Sequence, residues 1–248
     1  MGFNQSASST ALFPVRFSSF LGSMFLATQE AEEAVKAVKA ELGEDAVKQG
    51  FQGIGENTSS GKARKQLLAK GVKFGEMHGR LTGVRLLERE SQGRKYPYLS
   101  VTVTDADGKY NLSVSLDDRG AQMLARKLVN ASPEAVTDIA VFSNYGQKPG
   151  AARAYAEQGA SLKQDGQQVA GVDPRIDLNP QITAAMEALT AAGIPVEDKD
   201  VRGKRRDALT LEFHVGLVKK SQETFDAYYK ARDMQQPDAP APGDDTPL

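Results

Sequence analysis

Residues 97–118 read PYLSVTVTDADGKYNLSVSLDD, and the fold turns on them. Leu99, Val101 and Val103 alternate with Ser100, Thr102 and Thr104. After the DADG of residues 105–108, Leu112, Val114 and Leu116 alternate with Ser113 and Ser115. Period-two alternation on both sides of a turn-forming cluster predicts an antiparallel hairpin. One face of that hairpin is apolar, and the other is small and hydroxylated.

Upstream, GEMHGRLTGVRLLERE (75–90) offers Leu81, Val84 and Leu86, with Gly83 placed where a bulge shifts the alternation. Downstream, RGAQMLARKLVNA (119–131) reads as a helix with Leu124 and Leu128 on one side. Two further strands are expected, VTDIAVFSNY (136–145) and the segment 152–172, which folds over at Asp165-Gly166. The succession strand, strand, strand, helix, strand, strand resembles the five-stranded oligonucleotide-binding (OB) barrel, whose helix plugs the barrel between its third and fourth strands. The expected class is therefore α+β, mainly β, with an OB-like barrel over residues 72–172.

The flanks read differently. TQEAEEAVKAVKAEL (28–42) carries Ala31, Val35, Val38 and Leu42 at helical spacing, with acids early and lysines late. The Gly/Ser-rich loop that follows fails as a phosphate loop. Five residues separate Gly55 and Gly61, and Ala63 stands where the metal-binding hydroxyl belongs. Asn179-Pro180 opens a helix with Ile182, Met186 and Leu189, which Gly193 closes. ALTLEFHVGLV (208–218) reads as a strand by its alternation, and SQETFDAYYKAR (221–232) as a last helix. This divides the chain into an N-terminal helical extension and loop (1–71), the barrel (72–172), a helix–strand–helix unit packed on it (173–233) and a disordered acidic tail (234–248).

Cys is absent, and His78 and His214 lack metal-ligand spacing, so no thiol chemistry, metal centre, cofactor or catalysis is expected. No apolar run reaches the roughly 18–20 residues of a membrane helix, and the expected address is the cytoplasm. The net charge of −1 conceals an uneven distribution. Residues 61–100 hold ten bases against three acids, a surplus of seven, whereas the last fifteen residues hold Asp238, Asp244 and Asp245 and no base. A second basic knot supplies Arg202, Lys204, Arg205 and Arg206.

Nonspecific grip on a nucleic-acid strand needs cations along the phosphates and flat side chains on which bases stack. Inside the expected barrel, Tyr96, Tyr98, Tyr110, Phe142, Tyr145 and Tyr155 interleave with Arg80, Arg85, Arg89, Arg94, Lys95, Lys109, Lys148 and Arg153. Tyr96, Tyr98 and Tyr110 lead among the aromatics because they flank a hairpin beside the basic run.

The chain's last residues, GDDTPL, place Asp244, Asp245, Thr246, Pro247 and Leu248 after a Gln/Pro-rich stretch. This ending resembles the tip of bacterial and phage single-stranded DNA-binding proteins: two or more acids, a variable residue, Pro and a terminal Phe, here replaced by Leu248. The resemblance implies a binder that coats single-stranded DNA during replication or recombination. It also implies that the tail docks replication or repair partners, its carboxylates on basic rims and its last side chain in an apolar pocket. Two other readings stay open: a ring-forming recombination mediator or annealing protein, and a virion or scaffold protein that packs against copies of itself.

Overall fold

In the computed structural model, which describes residues 11–147, 152–195 and 197–235, the alternating segments pair as strands. These are β1 (Leu12–Ser18), β2 (Ser23–Leu26), β3 (Met77–Ser91), β4 (Arg94–Thr104), β5 (Lys109–Ser115), β6 (Val136–Gly146), β7 (Tyr155–Gln164) and β8 (Gln167–Gln168). They form a single eight-stranded sheet in the order β2-β1-β5-β4-β3-β6-β7-β8. The helices are α1 (Gln29–Leu42), α2 (Glu44–Lys48), α3 (Ser59–Ala69), α4 (Arg119–Leu128), α5 (Pro174–Asp177), α6 (Asn179–Ala191) and α7 (Lys199–Gln235).

The hairpin of 97–118 is present as β4–β5, with Val101 opposite Leu112 and Val103 opposite Tyr110. The bulge expected near Gly83 is also present, since the β3–β4 register shifts between Leu81 and Gly83. Gln92 (φ 51) and Gly93 (φ 72) make the two-residue turn from β3 to β4. Positive φ at both central positions is the geometry that suits the twist of a hairpin.

The five strands of the expected barrel are neighbours, β5-β4-β3-β6-β7, but the sheet does not close. Closure would need β5 to meet β7. Instead β1 takes the outer edge of β5 in parallel, with Leu12 beside Lys109 and Val15 beside Leu112. Residues 12–26 are thus largely strand, a correction to the helical extension and Gly/Ser-rich loop expected over residues 1–71. Helix α4 packs beside β6 and β7, so closely at Gly120 that a Cβ there would lie 2.6 Å from Val141 Cγ1.

The apolar sheet face forms the main core with α4 and α7, around Leu81, Leu99, Val101, Leu112, Leu124, Leu162 and Phe225. A second cluster lies under α1 and α3, around Leu21, Val38 and Leu67. Thr28 caps α1 by accepting from the Ala31 N–H at 3.2 Å, and Ala31, Val35 and Val38 are its buried positions.

Residues 208–218 correct the reading further: the expected strand is the middle of the 37-residue α7. A short apolar run fits both periods, and its surroundings decide. The buried positions of α7 are Leu209, His214, Val218, Ser221 and Phe225, a helical stripe that runs through the run and past it. No proline lies between Lys199 and Gln235 to stop it. His214 is buried on this stripe with its Nδ1 2.7 Å from the Thr210 carbonyl. Burial holds its imidazole below the ordinary value, and the nearby Arg126 cation adds to the effect. Among the described residues no helix is long and apolar enough to cross a membrane.

Candidate nucleic-acid interface

Side chains two apart on a strand share a face. On β4 the polar face therefore carries Arg94, Tyr96, Tyr98, Ser100, Thr102 and Thr104. Opposite them on β3 lie Ser91, Arg89, Leu87, Arg85, Gly83 and Arg80. On β5 the same face carries Ser115, Ser113, Asn111 and Lys109, each paired with one of these β4 positions. Arg80, Arg85, Arg89, Arg94, Lys109, Tyr96 and Tyr98 are thus brought to one surface.

The floor between them is a lattice of small polar groups. Asn111 Nδ2 donates to Ser100 Oγ at 2.9 Å and to Thr102 Oγ1 at 3.0 Å. Thr82 and Thr104 share a hydroxyl contact of 2.9 Å. Arg89 Nη2 donates to Ser113 Oγ at 2.9 Å, and its guanidinium sits 4.5 Å from the Tyr98 ring centroid. That stacking holds a cation and an aromatic plane side by side. β5 stops at Ser115, opposite Tyr98, so residues 88–97 continue as a two-stranded ribbon with no third strand. Nearly every residue of the ribbon is exposed, including Leu87 at its base at 40 %.

Several expected site residues lie elsewhere. Tyr110 is 1 % exposed and packs on Phe13, ring centroids 5.1 Å apart, because it shares the inward parity of Leu112 and Val114. It is core and cannot stack on a base. Lys95 falls on the opposite face of the ribbon, 3.3 Å from Glu88. Arg153 is exposed just before β7, and Tyr155 pairs with Gly146 at the far end of β6. Val136, the β6 partner of Arg80, is ten residues away. At about 3.3 Å per residue that separation is roughly 30 Å, so these two do not join the others. Phe142 lies over Gly159, where a Cβ would be 2.8 Å from its ring. Lys148 and the tail residues Asp244, Asp245, Pro247 and Leu248 lie outside the described residues.

The second basic knot forms the first turns of α7. Arg202 is structural there: its guanidinium donates to the carbonyls of Pro195 (2.9 Å) and Ile194 (3.1 Å) and to Thr190 Oγ1 (2.7 Å). Lys204, Arg205 and Arg206 are exposed.

Residues from the loop before β6 and from α7 also reach the polar face. β6 pairs with β3 only from Met77 to Arg80, and α7 covers part of the edge that β6 leaves. Gln222 there accepts from the Leu86 N–H at 3.0 Å, and Asp226 pairs with Arg85. Beside this crossing lies a basin of about 500 Å³. It is lined by Arg80, Arg85 and Lys109 from the sheet, by Glu134, and by Tyr229 and Arg232 from α7. Glu134 accepts from the Tyr229 hydroxyl and from Arg232 Nη1, each at 3.0 Å. Burial, with this acidic neighbour, pushes the Tyr229 phenol well above its usual range. The sequence shows YYKAR as part of a helix, but nothing local places that helix beside Arg80.

Comparison with known protein families, curated proteins and solved structures gives no significant match, so the interface is read from its own geometry.

Proposed function

We propose that this protein binds single-stranded DNA on the polar face of β3, β4 and β5 and along the β3–β4 ribbon. One observation carries the reading: Arg80, Arg85, Arg89, Arg94 and Lys109 share a solvent-facing surface with Tyr96 and Tyr98, over a floor of hydroxyls and one amide. Cations spaced along a strand suit phosphates, and tyrosines among them suit bases of any sequence. The neighbour order β5-β4-β3-β6-β7, with α4 beside β6 and β7, supports an OB-like module opened at its edge by β1. The GDDTPL ending supports recruitment of replication or repair proteins, with the body coating exposed strands inside the cell.

Titrating the full chain with fluorescent oligo-dT and with a duplex of equal length tests this. Preference for the single strand is expected, with affinity falling linearly in log–log form as salt rises. Equal affinity for the duplex, or salt-independent association, overturns it; the latter is the behaviour of a self-packing scaffold.

A further inference from the structure

The basin at the free edge of β3 has the makings of a site in its own right. We infer that it is a phosphate subsite completed by the C-terminal helix: Arg80 and Arg85 from β3, Lys109 from β5 and Arg232 from α7 surround one phosphodiester group of the bound strand. The inference rests on the strand-binding reading and extends it to a helix outside the strand series.

Three observations carry it. First, size and lining agree. A concavity of about 500 Å³ admits a nucleotide, and the sheet residues of its wall offer as donors the Thr102 hydroxyl and one of the two paired hydroxyls of Thr82 and Thr104. Second, charge is in surplus. Four cations meet the three carboxylates Glu134, Asp226 and Asp233, leaving one positive charge, which matches the single negative charge of a phosphodiester.

Third, α7 is latched at this spot. Glu134 has φ 64, a left-handed backbone that a residue with a side chain rarely adopts. It is held there by two bonds to β3, its N–H donating to the Leu81 carbonyl at 2.9 Å and the Ala135 carbonyl accepting from the Leu81 N–H at 3.1 Å. Strain of this kind persists where surrounding bonds over-determine it, and it concentrates at binding sites. From there the Glu134 carboxylate fixes Arg232, whose guanidinium also lies 4.7 Å from the Tyr229 ring centroid. Glu134 is a positioning residue, and Arg232 is the group it positions. The same face carries Arg89 and Tyr98 farther along β3 and β4, so a strand on the ribbon runs toward the basin.

The test compares full-length wild type, Arg232→Ala, Arg232→Lys and Arg89→Ala for oligo-dT affinity against salt, with a melting temperature for each. Arg232→Ala should lower the log–log salt slope by about 0.7, the value of one single-strand phosphate contact. Arg232→Lys should keep the slope, because it keeps the charge. Inorganic phosphate added at fixed ionic strength should displace the oligonucleotide, and less so from Arg232→Ala. The inference is overturned if Arg232→Ala leaves the slope unchanged while Arg89→Ala lowers it; strand binding then stands and α7 is only a brace. Saturable phosphate binding that leaves the oligonucleotide in place also overturns it. A wild type that binds no strand sinks both readings together.

Discussion

Tyr98 and Tyr110 belong to adjacent strands and face opposite ways, which makes them a matched pair for experiment. Tyr98→Ala should cost roughly 1–3 kcal/mol in oligonucleotide affinity if a base stacks there, with little change in melting temperature. Tyr110→Ala should cost about 3–5 kcal/mol of stability, because it empties a fully buried ring site, and should weaken binding only through unfolding. Calorimetry and titration on the same samples separate the two. The inward side of Tyr110 was legible in its alternation with Leu112 and Val114, as was the displaced parity of Lys95. Counting aromatics beside bases obscured both. Arg232 and Glu134 were not legible, because their meeting spans 98 residues and depends on where a helix crosses a sheet edge. His214 gives a prediction of its own. Its folded pKa is depressed, so below the ordinary histidine value of about 6.5 the unfolded chain takes up a proton that the folded chain resists. Stability should therefore fall as pH drops through that value, with Arg119 and Arg126 lining the same cavity and opposing a further charge. A His214→Gln variant should lose this part of the pH dependence of the melting temperature; an unchanged profile would show that the imidazole does not contribute.

The β3–β4 ribbon tests the interface at the level of an element. Arg89→Ala and Arg94→Ala should each lower the salt slope by about 0.7, whereas Lys95→Ala, on the opposite face and paired with Glu88, should leave it nearly unchanged. Equal effects of all three would mean that the strand wraps both faces. Helix α7 tests the fold. Gly216 lies inside it, and a Cβ there would meet nothing within 4 Å. Gly216→Ala should raise stability by about 0.5–1 kcal/mol, as expected for a helix interior. The hairpin, the Gly83 bulge and the turn at Asp165-Gly166 were readable because each is settled by residues close in sequence. Helix α7 was misread because an eleven-residue window fits both periods, and only the continuing stripe at Ser221 and Phe225 separates them. Strand β1 escaped notice because its partner, β5, is nearly a hundred residues away and parallel to it.

For the whole molecule, a positive surplus on one sheet face is joined to an acidic ending in a chain of nearly neutral total charge. Deleting residues 244–248 should leave the melting temperature unchanged, tighten strand binding most at low salt, and abolish capture of replication or repair proteins. Unchanged DNA affinity and unchanged partners would make the ending inert. Cohesion is uneven across the body as well. The stripe that ties α7 to the core begins at Leu209, and α6 buries none of its residues. What binds α6 to the first turns of α7 is a half-buried apolar seam and the Arg202 bonds to the end of the helix. Segments with few buried contacts open without global unfolding. Backbone amides of residues 182–191 should therefore trade their protons for deuterons orders of magnitude faster than those of residues 212–225 on the same two-helix hairpin. The chain would then carry a hinged outrigger whose lifetime in the closed state is set by that thin seam and one arginine.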